Sequence, residues 1–340
     1  MMKRFTFYLL VMALLTSTIT PAFALKKLAQ AGMPFLRMNC NTRTAAMGDA
    51  SICTARDATA IFTNAALLSF VEGFDVQLTQ TNWIVDIKHL AAAVAYGHPK
   101  WGTFGLSVVK MDYGEQMEIF PYDGADPELF EQGYMFGDTF EPQEYAIGIG
   151  YSRRISEQFS VGGHVRYVVQ DLHESRMYHE FQGKDITVQN REEMRSFDFG
   201  TMYYTGWKDL RIGMSARNFS NQGRYVIERF ELPLNFNIGM AMDLLTLFQG
   251  SDQQKLTLAV DWQHPRDYTE RVHVGAEYAL MGMLYLRGGW KFNYDEEGLT
   301  AGIGIAKEFS GFGLKFDYAY GDFGEFFNNI HKMTWGITLK

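Results

Sequence analysis

Apolar and polar residues alternate along most of the chain from Phe74 onward. Every second side chain is aliphatic or aromatic, and Gly, Ser, Thr or a charged residue stands between. Representative apolar sets are Tyr145, Ile147, Ile149 and Tyr151; Leu232, Leu234, Phe236, Ile238, Met240 and Met242; and Met333, Trp335, Ile337 and Leu339. Successive side chains of a β-strand point to opposite faces, so this pattern predicts strands with one apolar face.

About fourteen such segments follow one another, and their composition decides between a soluble sandwich and a membrane barrel. They lie near residues 74–85, 89–97, 101–112, 142–154, 157–171, 195–207, 208–217, 230–243, 254–263, 270–281, 282–292, 297–307, 311–321 and 330–340. The polar face is mostly small or ionised, and the apolar segments end in Tyr, Trp or Phe. Transmembrane strands need about ten residues, a lipid-facing apolar side and aromatic residues at both interfaces. We therefore predict an all-β fold, a transmembrane antiparallel β-barrel of about 14 strands, in residues 73–340.

The connections between the segments are short on one side and long on the other. Short turns such as His98-Pro99-Lys100 and Ser310-Gly311 follow even-numbered segments, whereas residues 113–141 and 172–194 form long loops after odd-numbered ones. The connection at residues 244–253 is an exception, because it lies on the side of the short turns but is longer than they are. Outer-membrane barrels have short periplasmic turns and long outer loops, so the predicted location is the outer membrane of a Gram-negative-type bacterium.

The first residues have the features of a secretory signal peptide. Lys3 and Arg4 precede the apolar run Phe5–Leu15, and Ala22-Phe23-Ala24 supplies a small-x-small cleavage site. We predict a signal peptide over residues 1–24 and export of the remainder. An uncleaved membrane anchor is the alternative, but the apolar run is short for a bilayer span.

Residues 25–72 precede the first strand and lack its alternation. This stretch carries few charges, and wide barrels are often filled by such elements, so we predict an N-terminal plug or hatch segment. It also contains both cysteines of the chain, Cys40 and Cys53. Because exported proteins enter an oxidising compartment, we consider a disulfide between these two cysteines that would stabilise the plug.

Charged residues of both signs recur at the polar positions of many strands. We predict that Arg166, Arg211, Arg217, Asp261, Glu277, Arg287 and Asp317 face the lumen, and His164, Asp198, Lys255, Lys291 and Lys315 occupy equivalent positions. An Arg or Lys facing lipid at mid-depth would cost about 2–4 kcal/mol, so this face belongs to the lumen. Two interpretations remain open: a packed polar lining, or a path for a substrate.

No catalytic or metal-binding pattern stands out. The glycine pairs Gly148/Gly150 and Gly302/Gly304 are strand positions, because no helix follows them as in a phosphate loop. Acidic and histidine groups at 171–180 and 295–297 are typical of solvated outer loops. We predict that the protein is not an enzyme and has no metal site and no cofactor. The formal net charge of −8 also excludes nucleic acid as a probable partner class.

The stretch "NCNTRTAAMGDASICTARDATAIFTNAALLSF" resembles a family signature. Its plug-motif residues are Arg43, Met47, Gly48, Asp57 and Asn64, accompanied by Ala46, Ala50, Ala60, Ala66 and Leu68. In this pattern the chain is similar to the PorV/PorQ family of FadL-like outer-membrane proteins. It departs from the pattern at Thr44, Asp49, Ala65 and Leu67, where the family has Ala, Gly, Pro and Gly.

The resemblance implies a fourteen-stranded barrel with an N-terminal hatch and one of two roles. PorV-like members serve type IX secretion as shuttles or scaffolds that bind exported cargo, which is the function we expect. FadL-like members pass hydrophobic small molecules through the barrel wall, which is the alternative. Expected partners are therefore outer-membrane lipid, together with secreted cargo proteins or secretion-system components, or a hydrophobic small-molecule ligand.

The two long outer loops contain many aromatic residues among acids. They are Tyr113, Phe120, Tyr122, Phe130, Tyr134, Phe136 and Phe140 in the first loop, and Tyr178 and Phe181 in the second. Exposed aromatic clusters often mark contact sites, so one interpretation is a docking surface. The others are a lid over the barrel mouth and a tall rim of extended strands.

Overall fold

The computed structural model describes residues 31–121, 133–179, 184–225, 228–247, 253–325 and 327–339. Its main element is a closed antiparallel barrel of fourteen strands. We number them β1 (Gly73–Asn82), β2 (Lys88–His98), β3 (Gly102–Asp112), β4 (Gln143–Arg154), β5 (Phe159–His179), β6 (Lys184–Tyr204), β7 (Arg211–Ser220), β8 (Asn235–Asp243), β9 (Gln254–Pro265), β10 (Arg271–Leu280), β11 (Leu284–Phe292), β12 (Glu297–Glu308), β13 (Phe312–Phe323) and β14 (Ile330–Leu339).

Each strand pairs with its neighbours in sequence, and the two ends of the series pair with each other. β1 joins β14 with Phe74 opposite Leu339 and Asn82 opposite His331. Closure leaves no edge strand, which matters in lipid because every backbone N–H and C=O must be satisfied internally. The predicted fold class and strand number are confirmed.

The two faces of the wall follow the alternation in the sequence. In β3, Phe104, Leu106 and Val108 are exposed on the outside, whereas Thr103 and Ser107 are buried inside. Trp101 and Trp207 lie near the rim that carries the short turns, which we call the inner rim, and Trp262 and Trp290 lie toward the opposite, outer rim. An apolar band between aromatic belts is what a bilayer covers.

The long outer connections are more ordered than the sequence predicts. Gln116–Pro121 and Tyr134–Phe140 form a two-stranded sheet in the first connection, which we call the first outer hairpin. The prediction that residues 172–194 form a loop is wrong, because β5 and β6 continue pairing through that stretch beyond an irregularity between Asp171 and Glu174. This hairpin lies in water, so its strands need no lipid-facing alternation to satisfy their backbones.

Two further connections lie partly outside the described residues. Residues 244–253 begin with the 3₁₀ turn Leu244–Leu247, and their remainder is mostly undescribed. Gly223–Arg224 pairs with Arg229–Phe230 beside the outer rim. The predicted signal peptide lies wholly outside the described residues.

Residues 31–72, which we call the N-terminal segment, form short turns rather than strands. They are the 3₁₀ helices Pro34–Arg37, Ala58–Phe62 and Ala65–Phe70 and the α-helical turn Thr42–Ala45. The side chains of Asn41, Asp57 and Asn64 accept hydrogen bonds from backbone N–H groups at three of these starts, as N-caps do. None of the described helices is long and apolar enough to cross a membrane.

The N-terminal segment lies against the inward face of the barrel. Of its residues, only Pro34, Arg56 and Glu72 are exposed, and the buried apolar core consists mainly of its side chains packed on inward-facing alanines of the wall. Its hydrogen bonds reach well-separated strands of the barrel, among them Asp75 on β1 and Asp261 on β9. The segment therefore packs on the inward face of several strands.

Candidate functional site

Glycines of the wall make room for the plug-motif residues Met47 and Gly48. A Cβ atom on Gly275 or on Gly289 would collide with the backbone of Met47 or Gly48. Gly48 itself has φ +65° and donates its N–H to Thr300 Oγ1 at 2.8 Å. Because only glycine combines that backbone conformation with so close an approach, the segment and wall fit at backbone level.

A series of side chains with alternating charge begins and ends on the N-terminal segment and anchors that segment to the wall. Arg43 of the segment donates twice to Glu277, at 2.6 and 2.7 Å. Successive ion pairs then join Glu277 to Arg287 at 2.6 Å, Arg287 to Asp317 at 2.6 Å, Asp317 to Lys315 at 2.8 Å, and Lys315 to Asp57 at 2.9 Å. We call these six residues the charge chain. It carries three positive and three negative groups and crosses β10, β11 and β13.

Hydrogen bonds hold further residues of the segment, most of them to side chains or carbonyls of other strands. Asp261 accepts the backbone N–H groups of Ser51 and Ile52 at 2.6 and 2.9 Å. Arg211 donates to the carbonyl oxygen of Cys53 at 3.0 Å. Asn64 donates its amide to the carbonyls of Ile52 and Thr201 at 2.9 and 3.0 Å. The predicted plug-motif and lumen residues thus meet each other in space.

A second buried network contains a Ser–His–Asp arrangement. His164 lies 2.8 Å from Ser107 Oγ and 3.1 Å from Asp198, while Arg166 bonds Asp198 at 2.7 Å and Asn218 at 2.6 Å. A nucleophile must reach substrate, but Ser107 is 2% exposed and lines neither cavity found in the described structure. We interpret the network as packing of the lumen.

A cavity of about 330 Å³ remains between the N-terminal segment and the outer half of the wall. Its lining combines apolar and polar surface and carries five basic and five acidic side chains. A stack of cations and tyrosine rings runs along it: Arg37 over Tyr268 at 4.8 Å, Arg271 over Tyr268 at 4.6 Å and over Tyr294 at 4.0 Å, and Lys291 over Tyr294 at 5.6 Å. We call it the outer cavity.

Residues 137–337 match the family described as type IX secretion system membrane protein PorP/SprF. The chain belongs to the PorP/SprF family. The match begins in the first outer hairpin and ends in β14, so it covers most of the barrel but none of the N-terminal segment.

Solved structures similar to this family member are outer-membrane transporters of the FadL type. They are the Ralstonia pickettii toluene transporter TbuX (12% identity, TM-score 0.56, 88% of this chain and 98% of that chain), the Pseudomonas putida toluene transporter TodX (11%, 0.56, 92% and 98%) and a Pseudomonas aeruginosa FadL homologue (11%, 0.53, 93% and 99%). At such identity the likeness shows the fold alone. Comparison with curated proteins gives no match.

These findings establish a secretion-related outer-membrane barrel of FadL-like fold. The matched family is a secretion-system membrane protein and the similar structures are transporters, so none of the matches points to an enzyme. The resemblance to PorV/PorQ is sharpest across residues 28–68 and in the second and third strands, which lie outside the matched range, and it stays a prediction. The family shown belongs to the same secretion system.

The predicted disulfide is not present. Cys40 and Cys53 are free thiols, and their sulfur atoms have different neighbours: Met38 O for Cys40 and Gly239 O for Cys53. Burial raises the pKa of both thiols, that of Cys40 to about 11, so thiolate for oxidation is scarce near neutral pH. The two cysteines share a stretch of sequence but pack against different parts of their surroundings.

The structure places the remaining predicted residues as follows. Arg217 is half-buried and contacts Leu36 O at 3.4 Å. Lys255 has the same parity on β9 as the buried Thr257 and Asp261, but it is exposed at the inner end of the strand. Glu297 pairs with Lys291, and no metal-binding group of side chains occurs within the described ranges. The sequence pattern did not reveal the outer cavity. The alternation does predict that Lys332, next to Met333 of the apolar series, faces inward.

Proposed function

We propose that this PorP/SprF-family barrel serves protein secretion as a shuttle or scaffold that binds exported cargo or another secretion component at its outer face. The observation that carries the proposal is the first outer hairpin, which presents apolar side chains above the membrane. The family match supports a role in the secretion system, and the packed charges of the lumen argue against a path for hydrophobic solutes. In this proposal residues 31–72 act as the plug and residues 73–340 as the barrel.

The first outer hairpin exposes apolar side chains, although its two strands are not part of the lipid-facing barrel wall. Ile119 is 60% exposed and pairs with Phe136, which is 56% exposed, and Met117 is 51% exposed. The neighbouring hairpin of β5 and β6 meets it through His173, which stacks on Phe140 with ring centroids 5.0 Å apart. Solvent-exposed apolar side chains in one place, rimmed by polar residues, are typical of protein–protein contact sites.

The interior supports a binding role more than passage of hydrophobic molecules. The lumen wall carries the charge chain and the His164–Asp198 network, so an apolar solute would have to displace buried ion pairs. The wall is continuous at β3, which pairs with β4 without interruption from Thr103–Ser152 to Asp112–Gln143. The alternative, transport of a hydrophobic small molecule, is favoured by the fold it shares with TbuX and TodX.

The test replaces Met117, Ile119 and Phe136 with serine in the full-length protein in its native host. We expect the barrel to remain folded, because these side chains are exposed, and capture of cell-surface cargo or secretion components to fall at least about fivefold. Asp138→Asn, on the same hairpin, is the matched control. Capture is measured by mild-detergent pull-down with quantitative mass spectrometry against the unaltered protein.

Two results would contradict this proposal. One is unchanged recovery of named secretion components and cargo with the triple variant. The other is a defect in uptake of toluene or fatty acid by cells lacking the protein, restored by the triple variant, since that outcome favours the transport alternative.

A further inference from the structure

The outer cavity contains basic groups that the fold leaves without acidic partners. Lys332 is 6% exposed and donates to the carbonyl oxygen of Asn39. It forms no ion pair with a described residue, although Asp49 and Glu297 are near enough for their charges to act on it. Arg217 and Arg271 likewise form no ion pair with a described residue, and the Nε groups of both are buried without a hydrogen-bond acceptor. Buried donors of this kind cost stability unless something satisfies them.

Most acidic side chains of the cavity are already committed. Asp49 and Glu297 both pair with Lys291 Nζ at 2.5 Å, Asp267 pairs with Arg37, and Asp261 accepts two backbone N–H groups. Asp322 is the remaining acid, half-buried at the outer rim. The unused hydrogen-bonding groups of the cavity therefore include the Nε donors of Arg217 and Arg271 and, on the acceptor side, single oxygens of Asp261 and Asp267.

The rest of the lining suits a peptide rather than a lipid or a small ion. Amide side chains line it, among them Asn218, Asn235 and Gln263, and amides both donate to and accept from a peptide backbone. Trp83, Tyr268 and Tyr294 provide ring surfaces for apolar side chains.

We propose that the outer cavity binds an extended peptide that enters from the outer face and places a carboxylate on Lys332, Arg217 and Arg271. The volume of about 330 Å³ accommodates a few residues. Carboxylates form short charge-assisted hydrogen bonds with Arg and Lys, so the ligand would satisfy the unpaired donors. The carboxylate is either a chain terminus or an Asp or Glu side chain. This site is separate from the first outer hairpin.

The test uses the full chain in detergent and a dansyl-labelled Ala-Thr-Val-Val peptide prepared as the free acid and as the C-terminal amide. A third peptide, amidated but carrying one Glu, distinguishes a side-chain carboxylate from a terminal one. Fluorescence anisotropy measures the affinities. We expect at least one carboxylate-bearing peptide to bind saturably, about tenfold more tightly than the peptide without a carboxylate.

Variants assign the carboxylate to its partners. Lys332→Gln and Arg271→Gln should each weaken binding of the carboxylate-bearing peptide about tenfold and leave the neutral peptide unchanged. Lys255→Gln, which removes an exposed lysine outside the cavity, is the matched control. Unchanged mobility of unheated samples in gel electrophoresis shows that a variant is folded. Two variants are used so that the test still gives a result if one of them does not fold.

The inference is overturned if acid and amide bind equally, if neither variant changes the affinity, or if inorganic phosphate binds and none of the peptides does. The outcome is independent of the hairpin test, because serine substitutions at Met117, Ile119 and Phe136 leave every cavity residue in place. Loss of partner capture with intact peptide binding, or the reverse, would show which proposal fails.

Discussion

The inner and outer parts of the lumen handle charge in opposite ways. Each of the six members of the charge chain has a partner of opposite sign within 2.9 Å, and none of the six lines the outer cavity. In the outer cavity Lys332, Arg217 and Arg271 lack such partners, and space remains beside them. The difference teaches that one region is built to hold the N-terminal segment, whereas the other is built to accept something the chain does not supply.

The largest expected effect is on the charge chain. Glu277→Ala would leave Arg43 and Arg287 buried without their shared carboxylate, and breaking a buried pair by removing one partner costs about 3–5 kcal/mol. Urea unfolding in detergent, followed by tryptophan fluorescence, measures the change. Glu157→Gln in the exposed turn at the inner rim is the control. A loss below about 1 kcal/mol would contradict the anchoring role of Glu277.

A methyl group between wall and segment should have the next largest effect. Gly289→Ala places a Cβ against the backbone of Gly48, whereas at Gly288, the next residue, the nearest atom to a new Cβ is Thr300 O at 3.9 Å. Overpacking costs about 1–3 kcal/mol, so Gly289→Ala should destabilise and should make residues 31–72 more accessible to protease. Equal effects at the two positions would mean that the segment does not press on Gly289.

Removing the carboxylate of Asp261 should cost less. Asp261→Ala removes the acceptor that the N–H groups of Ser51 and Ile52 share. Because Asp261 lines the outer cavity, water can reach both groups, and the expected total loss is about 1–2 kcal/mol. Hydrogen exchange should rise first at these two amides. Asp261→Asn, which retains one carbonyl acceptor, should recover part of the loss; an asparagine variant as unstable as the alanine variant would assign the effect to charge instead.

The smallest expected effect belongs to the outer cavity. Arg271→Gln removes a guanidinium that stacks on Tyr268 and Tyr294 but pairs with no described acid, so the expected loss is at most about 1 kcal/mol. The same urea titration measures it. A loss comparable to that of Glu277→Ala would erase the contrast between the two parts of the lumen and would make the stack a structural anchor.

The alternation in the sequence was sufficient for much of this fold, because period two is a local property. Each of the fourteen strands could be located from its own residues, and the inward position of Glu277 or Asp317 followed from the cost of a charge facing lipid. The continued pairing of β5 and β6 beyond Asp171 could not be located in this way. Outside the bilayer these strands need no apolar face, so the pattern that revealed the other strands was missing.

Partners of the inward side chains were decided by the tertiary structure. Arg43 and Glu277 are 234 residues apart, and they meet because the barrel closes and its register brings β10 beside the N-terminal segment. Cys40 and Cys53 lie close in sequence, yet the turns between them send their thiols to different neighbours. Residue type and period determined which side chains face inward; which of them are paired, and which are left open in the outer cavity, depended on closure and register, because contacts across a lumen join residues that no local pattern relates.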